Sequence, residues 1–221
     1  VKEFTDKDIS IVASYTEIIG DTFFRNVQEA EWVMMHTMAS GGIGLNIPLG
    51  CYGNNLSVRR KNLDAIGGYR GITFSVTEDL ALLTAIINSG GKARYLISPD
   101  SAVITKPMHK FSEYMRQHHR WAVGGMKLGW KAAIFVLSTL ALWLGIITSL
   151  VTGNYIWSAG LLATRLILDY SLIMASLRIL KKPGLNLWIF PAIFFLMIME
   201  LTLPFLLLKK NIVWKGRIFR N

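Results

Sequence analysis

The hydrophobic and polar positions divide the chain into two unlike halves. Up to about Thr105 apolar residues come in short bursts separated by turn residues, and after Lys131 they run almost unbroken. Ile9–Tyr15 has the β-branched, apolar make-up of a buried strand, and Phe24, Val27, Ala30 or Glu31, Met34 and Met38 recur at helical spacing between Asp21 and Met38. Gly41-Gly42-Ile43-Gly44 has too many glycines for an element interior and reads as a mobile connection. Leu63 and Ile66 close a short helix that Gly67-Gly68 ends.

Ile72–Val76 reads as a strand, and Leu80, Leu83 and Ile87 place a helix directly after it that stops at Ser89-Gly90-Gly91. Lys92–Ile97 and Ala102–Thr105 read as strands around the turn Ser98-Pro99-Asp100, and Lys106-Pro107 breaks the pattern. Ser112 is placed to cap a helix carrying Gln117 to Trp121. The expected fold class is therefore α/β followed by membrane helices.

Three apolar runs follow: Ala132–Val151, Tyr155–Leu180 and Leu187–Leu208. Each reaches the roughly 20 residues needed to cross a bilayer, so two to three transmembrane helices are expected. Arg165 and Asp169 stand i, i+4 in the second run, the spacing of a structural ion pair. With Lys127 and Lys131 on the cytosolic side, Arg178, Lys181 and Lys182 obey the positive-inside rule, whereas a spanning third run would put Lys209, Lys210 and Lys215 outside. Pro191 and Pro204 offer a way out: the third run folds as a re-entrant or interfacial hairpin that returns the basic tail.

Composition agrees with a membrane protein, at 52% hydrophobic residues. The net charge of +10 lies largely beside the apolar runs, which favours anionic headgroups over nucleic acid. The single cysteine, Cys51, rules out an intramolecular disulfide and has no neighbouring base to activate it. His118 and His119 are adjacent and point apart on a helix, His36 and His109 have no partner at ligand spacing, and no zinc site is expected. A Gly-x-Ser-x-Gly hydrolase motif is also missing.

Two constellations carry candidate chemistry. Thr77-Glu78-Asp79 places a capping residue and two carboxylates at a helix start, which capping alone would explain. Gln117, Arg120 and Trp121, spaced i, i+3, i+4, put an amide, a guanidinium and an indole on one helix face. That face suits a charged, partly planar ligand, and it equally suits an interfacial helix with snorkelling Arg and boundary Trp.

Gly53-Asn54-Asn55-Leu56-Ser57-Val58-Arg59-Arg60, Gly67-Gly68-Tyr69, Thr77-Glu78-Asp79 and Gln-x-x-Arg-Trp at 117–121 follow one another in a telling order and spacing. In this the chain resembles membrane-bound family 2 glycosyltransferases, which include processive polysaccharide synthases and ceramide and hopanoid glucosyltransferases. The resemblance is close over about residues 50–130, and Trp214-Lys215-Gly216-Arg217 agrees more loosely. It implies that residues 1–110 are the C-terminal part of a GT-A-type catalytic domain, 111–131 an interfacial helix, 132–208 a transmembrane region and 209–221 a basic tail. It also implies an inverting transfer from a nucleotide-sugar, a UDP-sugar, to a lipid or growing polysaccharide, with the catalytic part on the cytosolic face of a multi-pass membrane protein.

By the same resemblance Asp79 is the base, Glu78 and Thr77 shape its turn, Asn55 borders the sugars, and Gln117, Arg120 and Trp121 hold the donor diphosphate and the acceptor end. The family's Asp-x-Asp motif binds the donor with a divalent cation, Mg²⁺ or Mn²⁺. Asp6-Lys7-Asp8 has that spacing but precedes a strand and reads as a surface turn. The chain is thus expected to be N-terminally truncated, to lack most ligands for the cation and to be inactive alone. The rival reading is a non-catalytic membrane scaffold or transporter subunit that uses the same basic flanks for lipid.

Overall fold

The structure, a computed structural model, describes residues 2–209, 211–214 and 216–220, with Lys210 and Lys215 of the basic tail lying outside them. Its first half is a mixed sheet clasped between helices. Strand β1 (Ile9–Ser14) is buried along its whole length. It pairs antiparallel with β3 (Leu56–Val58) and parallel with β4 (Lys92–Leu96). At Tyr15 the strand changes partners: Tyr15 N–H donates to Leu96 O at 2.9 Å, and β2 (Thr16–Ile18) continues beside the parallel strand β5 (Val103–Thr105).

A central strand buried on both faces needs a helix on each side. On one side Ile11 and Ala13 meet Leu82, Leu83 and Ile86 of α3 (Glu78–Asn88), with Cys51 in the same cluster. On the other lies α1 (Phe23–Gly44), whose Trp32 and Val33 share a cluster with Tyr15 and Ile18.

Several local expectations are corrected. Gly41–Gly44 is the last turn of α1 rather than a mobile connection. Gly42 is needed there because a Cβ would come within 2.7 Å of Ile47 O as the chain folds back. Ile72–Val76 is not a strand, since no neighbouring strand pairs with it and side chains of a later helix take its carbonyls. Ser112 caps nothing: α4 (Phe111–Met126) starts one residue earlier, and Glu113 reaches back to the Lys110 N–H at 3.4 Å. Gly67 and Gly68 do close the short helix α2 (Arg60–Ala65), both at positive φ.

Three helices in the second half are long and apolar enough to cross a membrane. Helix α5 (Trp130–Val151) and helix α6 (Tyr155–Leu180) form a hairpin turned at Gly153, and Ser149 and Ser158 share a hydroxyl hydrogen bond of 2.6 Å. The C-terminal part of α6 docks on α1, with Ile173 and Leu177 against Trp32 and Val33 and the Thr37 hydroxyl on Ser176 at 2.6 Å.

The third run is one helix, α7 (Ile189–Leu207), and not a proline-broken hairpin. Pro191 falls in its first turn, where an N–H has no intrahelical partner anyway, and Pro204 sits within its last turn. Helix α7 lies beside α4. Early in α7, Phe195 touches Phe111 and Tyr114; at its end, Leu207 joins the cluster that contains Val123.

Both ends of α7 therefore rest on the α/β half. Before it, Lys182 pairs with Glu17 and, at 2.6 Å, with Glu29 of α1. After it, β6 (Asn211–Trp214) and β7 (Arg217–Arg220) form an antiparallel hairpin whose Ile212 packs on Val76 and Val123.

Between the apolar helices Arg165 bonds Asp169 at 2.5 Å, as the i, i+4 spacing suggests, and also Glu200 of α7 at 2.7 Å. One guanidinium thus serves two carboxylates that are each about 10% exposed. Removing it would strand both. Arg165→Leu should destabilise the protein by about 3–5 kcal/mol, read by thermal unfolding in detergent. Replacing all three residues by apolar ones of similar volume should restore most of that loss.

Candidate active site

The irregular stretch Ile72–Thr77 carries the acidic turn onto helix α4. Its carbonyls have no strand partner, and buried carbonyls need one. Arg120 donates to Val76 O at 2.7 Å and Lys127 to Phe74 O at 2.9 Å. Between these two bonds the backbones close up, because a Cβ at Gly124 would lie 2.1 Å from the Thr77 hydroxyl oxygen. Thr77 occupies the N-cap position of α3 but does not cap it, its hydroxyl turning to Ser75 at 3.1 Å.

This docking brings the acid to the cation. Glu78 and Asp79 fill the first turn of α3, with Glu78 exposed and Asp79 half-buried. Asp79 accepts from Gly53 N–H at 3.0 Å and from Leu80 N–H at 2.8 Å. Burial raises its carboxyl above the ordinary carboxylate range; the two N–H donors oppose that, Glu78 adds to it, and the Arg120 guanidinium opposes it. Burial in turn lowers Arg120, against the pull of Asp79 and Glu78. The guanidinium also lies over the Trp214 ring, 5.6 Å from its centroid.

Arg120 and Trp121, adjacent on α4, point to two different walls. Trp121 sits among Trp32, Tyr52 and His118 at centroid distances of 5.3, 5.9 and 5.0 Å. Gln117 is half-buried on the turn before them and has no hydrogen bond to a described residue. Asn55 belongs to the scaffold, its amide donating at 2.8 Å to both Tyr15 O and Ser101 O, which ties the Gly53–Asn55 turn to the strand crossing. Arg59 similarly holds the N-terminal turn through the carbonyls of Phe4, Asp6 and Ile9. Asp6 and Asp8 are surface partners of Arg94 and Lys92.

The thiol of Cys51 is buried and pushed well up by that burial, then by Asp79 and Glu78, and it donates to Asp79 O at 3.2 Å. It is a packing residue. Among the described residues no three His, Cys, Asp or Glu side chains gather as a cation site. Asp79 and Glu78 stand beside a guanidinium and do not fit a divalent metal by themselves, and no step is assigned to one.

Two buried groups, Glu31 and His36, have partners that their positions in the sequence do not indicate. Glu31 of α1 accepts from the Tyr114 hydroxyl at 2.6 Å and faces His118 Nε2 at 2.7 Å. The available signal was a carboxylate in the apolar stripe of α1. His36 lies beneath Tyr52; Thr16 N–H points at its Nε2 at 3.4 Å, so Nδ1 carries the proton toward the Tyr95 oxygen at 2.5 Å. Burial holds its pKa down at about 3.

Asp79 and Arg120 lie within electrostatic reach of each other, and Trp121, next to Arg120, joins the ring cluster of Trp32 and Tyr52, where the α/β half meets helices apolar enough to cross a membrane. Residues 10–221 match the model of Glycosyl transferase family 21, and the chain belongs to that family. No curated protein matches it. The resemblance of its motifs pointed to family 2; glycosyl transfer is what the two assignments share, and the chain is a glycosyltransferase by family.

Gly124→Ala should force Thr77 away and cost about 1–3 kcal/mol, seen as a lower melting temperature. His36 yields a pH test. Its folded pKa lies below the usual 6.5, so its contribution is present above about 6.5 and is lost as pH falls toward 3. Melting temperatures should therefore drop on acidification across that window, and less so for His36→Leu.

Proposed function

We propose that the chain transfers a sugar, with inversion, from a UDP-sugar to a lipid acceptor at the membrane surface. The observation that carries this reading is that the Asp79 carboxylate and the Arg120 guanidinium lie within electrostatic reach of each other, with Trp121 next to Arg120 on α4. Each Asp79 oxygen accepts one backbone hydrogen bond and keeps a second lone-pair direction free for an acceptor hydroxyl. Burial, which raises the Asp79 pKa, makes that carboxylate a stronger base than an exposed one.

In the proposed step the acceptor oxygen attacks the anomeric carbon as its proton passes to Asp79. The bond from that carbon to the diphosphate oxygen breaks, and the diphosphate leaves with the electron pair. Arg120 supplies positive charge for it and Gln117 hydrogen bonds, both on the α4 face. Trp121 offers the sugar or acceptor end a flat apolar wall, and Glu78 keeps the turn acidic. A divalent cation on the donor would add charge to the leaving group; among the described residues no cluster of three His, Cys, Asp or Glu side chains gathers to hold it.

Membrane placement favours a lipid over a growing polymer. Helix α7 exposes Phe190, Phe194, Ile198, Leu201 and Phe205 in one stripe alongside α4, a path by which a lipid headgroup reaches the cleft. In this arrangement α5 and α6 cross the bilayer and α7 lies along its surface. Lys182, Lys209 and Arg217 then share the side of the α/β half, which is cytosolic by the positive-inside rule.

The test is donor turnover by membranes carrying the protein, across a panel of UDP-sugars. Asp79→Asn should lose about 10²–10⁴-fold in rate while inserting normally. Wild-type activity should fall on acidification, since the base must be ionised and its pKa is raised. Undiminished turnover in Asp79→Asn would remove Asp79 from the chemistry.

A further inference from the structure

We propose that Glu31 holds His118 as a buried imidazolium, and that this pair sets the rotation of α4 that aims Arg120 and Trp121 into the cleft. His118 and Glu31 are then positioning residues, and the proposal rests on reading that α4 face as the substrate cleft.

His118 Nδ1 lies 3.0 Å from Tyr114 O, which can only accept, so Nδ1 bears a hydrogen. Nε2 lies 2.7 Å from Glu31 Oε1. A neutral pair would need the remaining proton on the Glu31 carboxyl. The carboxylate already accepts the Tyr114 hydroxyl on Oε2 at 2.6 Å, and that bond strengthens when Glu31 is ionised. The proton therefore sits on Nε2, and a carboxylate only 3% exposed has its opposite charge in contact.

The groups facing His118 are few. Helix α1 brings Glu31. Helix α4 brings Tyr114, whose tilted ring lies 4.0 Å away between centroids, and Trp121 at 5.0 Å. Tyr52, on the far side of Trp121, also feels Glu31 and has its phenol pushed up, by burial first. Helix α7 contributes Phe195 against Tyr114. The direction agrees: burial lowers the His118 pKa, but Glu31 and the Tyr114 carbonyl outweigh it and the net shift is upward.

Glu31 thus joins α1 to α4 by two strong bonds one turn apart, to Tyr114 and His118. The helix cannot roll without breaking one of them. Arg120 and Trp121, two and three positions on, inherit that orientation. Because the folded pKa is raised, the pair stabilises fully below about 6.5 and its contribution is lost as pH rises through the folded value. An alkaline limit on activity follows, separate from the acid limit set by Asp79.

The variant of choice is Glu31→Gln. Its amide can accept from Tyr114 and donate to a neutral His118, so the packing survives while the charge is lost. The measurement is ¹⁵N-histidine NMR of the whole protein in detergent micelles, with His118→Gln used only to assign the signal. In the wild type both His118 ring nitrogens should be protonated at pH 7. In Glu31→Gln the titration should move down by about one pH unit or more.

The alkaline limb of UDP-sugar turnover should move with it. A neutral tautomer at pH 7 in the wild type overturns the proposal. So does a Glu31→Gln protein whose His118 titration or alkaline limb stays in place. Wild-type protein without turnover would count against the proposed function, and the NMR titration would still decide the state of His118.

Discussion

The hydrogen bond from the Arg120 guanidinium to Val76 O is the contact on which the site depends. Residues 72–77 cross from the sheet layer to α4 without a strand partner, so their carbonyls must be satisfied by side chains. Leaving one such group buried and unpaired costs about 1–3 kcal/mol, a large share of a marginal stability. Arginine suits the task because its planar fork stays charged and is weakly hydrated, and can serve the carbonyl while still facing Asp79. One residue therefore docks the acidic turn and supplies its counter-charge.

Helix α1 performs the larger joining. One of its faces covers the sheet, and the other receives α6, α7 and, through Glu31, α4. Glu29 and Glu31, two positions apart, divide the work: Glu29 takes Lys182 where α6 ends, and Glu31 takes Tyr114 and His118 at the cleft. The apolar helices and the candidate site are thus tied to the same rigid element.

What was legible in the sequence was what local forces decide. The buried strand at Ile9, the acidic helix start at Glu78, the glycine stop at Gly67 and the apolar helices follow from periodicity and capping. Thr77-Glu78-Asp79 and Arg120 come together as one site only through the ordered motifs of the family resemblance, since capping and an interfacial helix each explain the residue types locally. Ile72–Val76 misled because β-propensity describes fitness for a ladder and cannot say whether a neighbouring strand exists. Asn55, which the resemblance implies borders the sugars, also ties two carbonyls with its amide nitrogen, a demand set by a strand crossing distant in sequence. Glu31 was passed over as an ambiguous position in a stripe, since its partners lie on a helix far along the chain. The course of α7 depended on contacts at both its ends, which its two prolines do not encode.

The claim that the acidic turn is docked on α4 can be tested without any assay of catalysis. A Val76→Cys, Val123→Cys double variant in a Cys51→Ala background places two thiols in the cluster where residues 72–77 pack on α4. Mild oxidation of the protein in native membranes should form an intramolecular disulfide in most molecules within minutes, visible as a mobility shift that reductant reverses. If the two thiols stay free, residues 72–77 do not rest on α4, and Asp79 and Arg120 do not share a cleft.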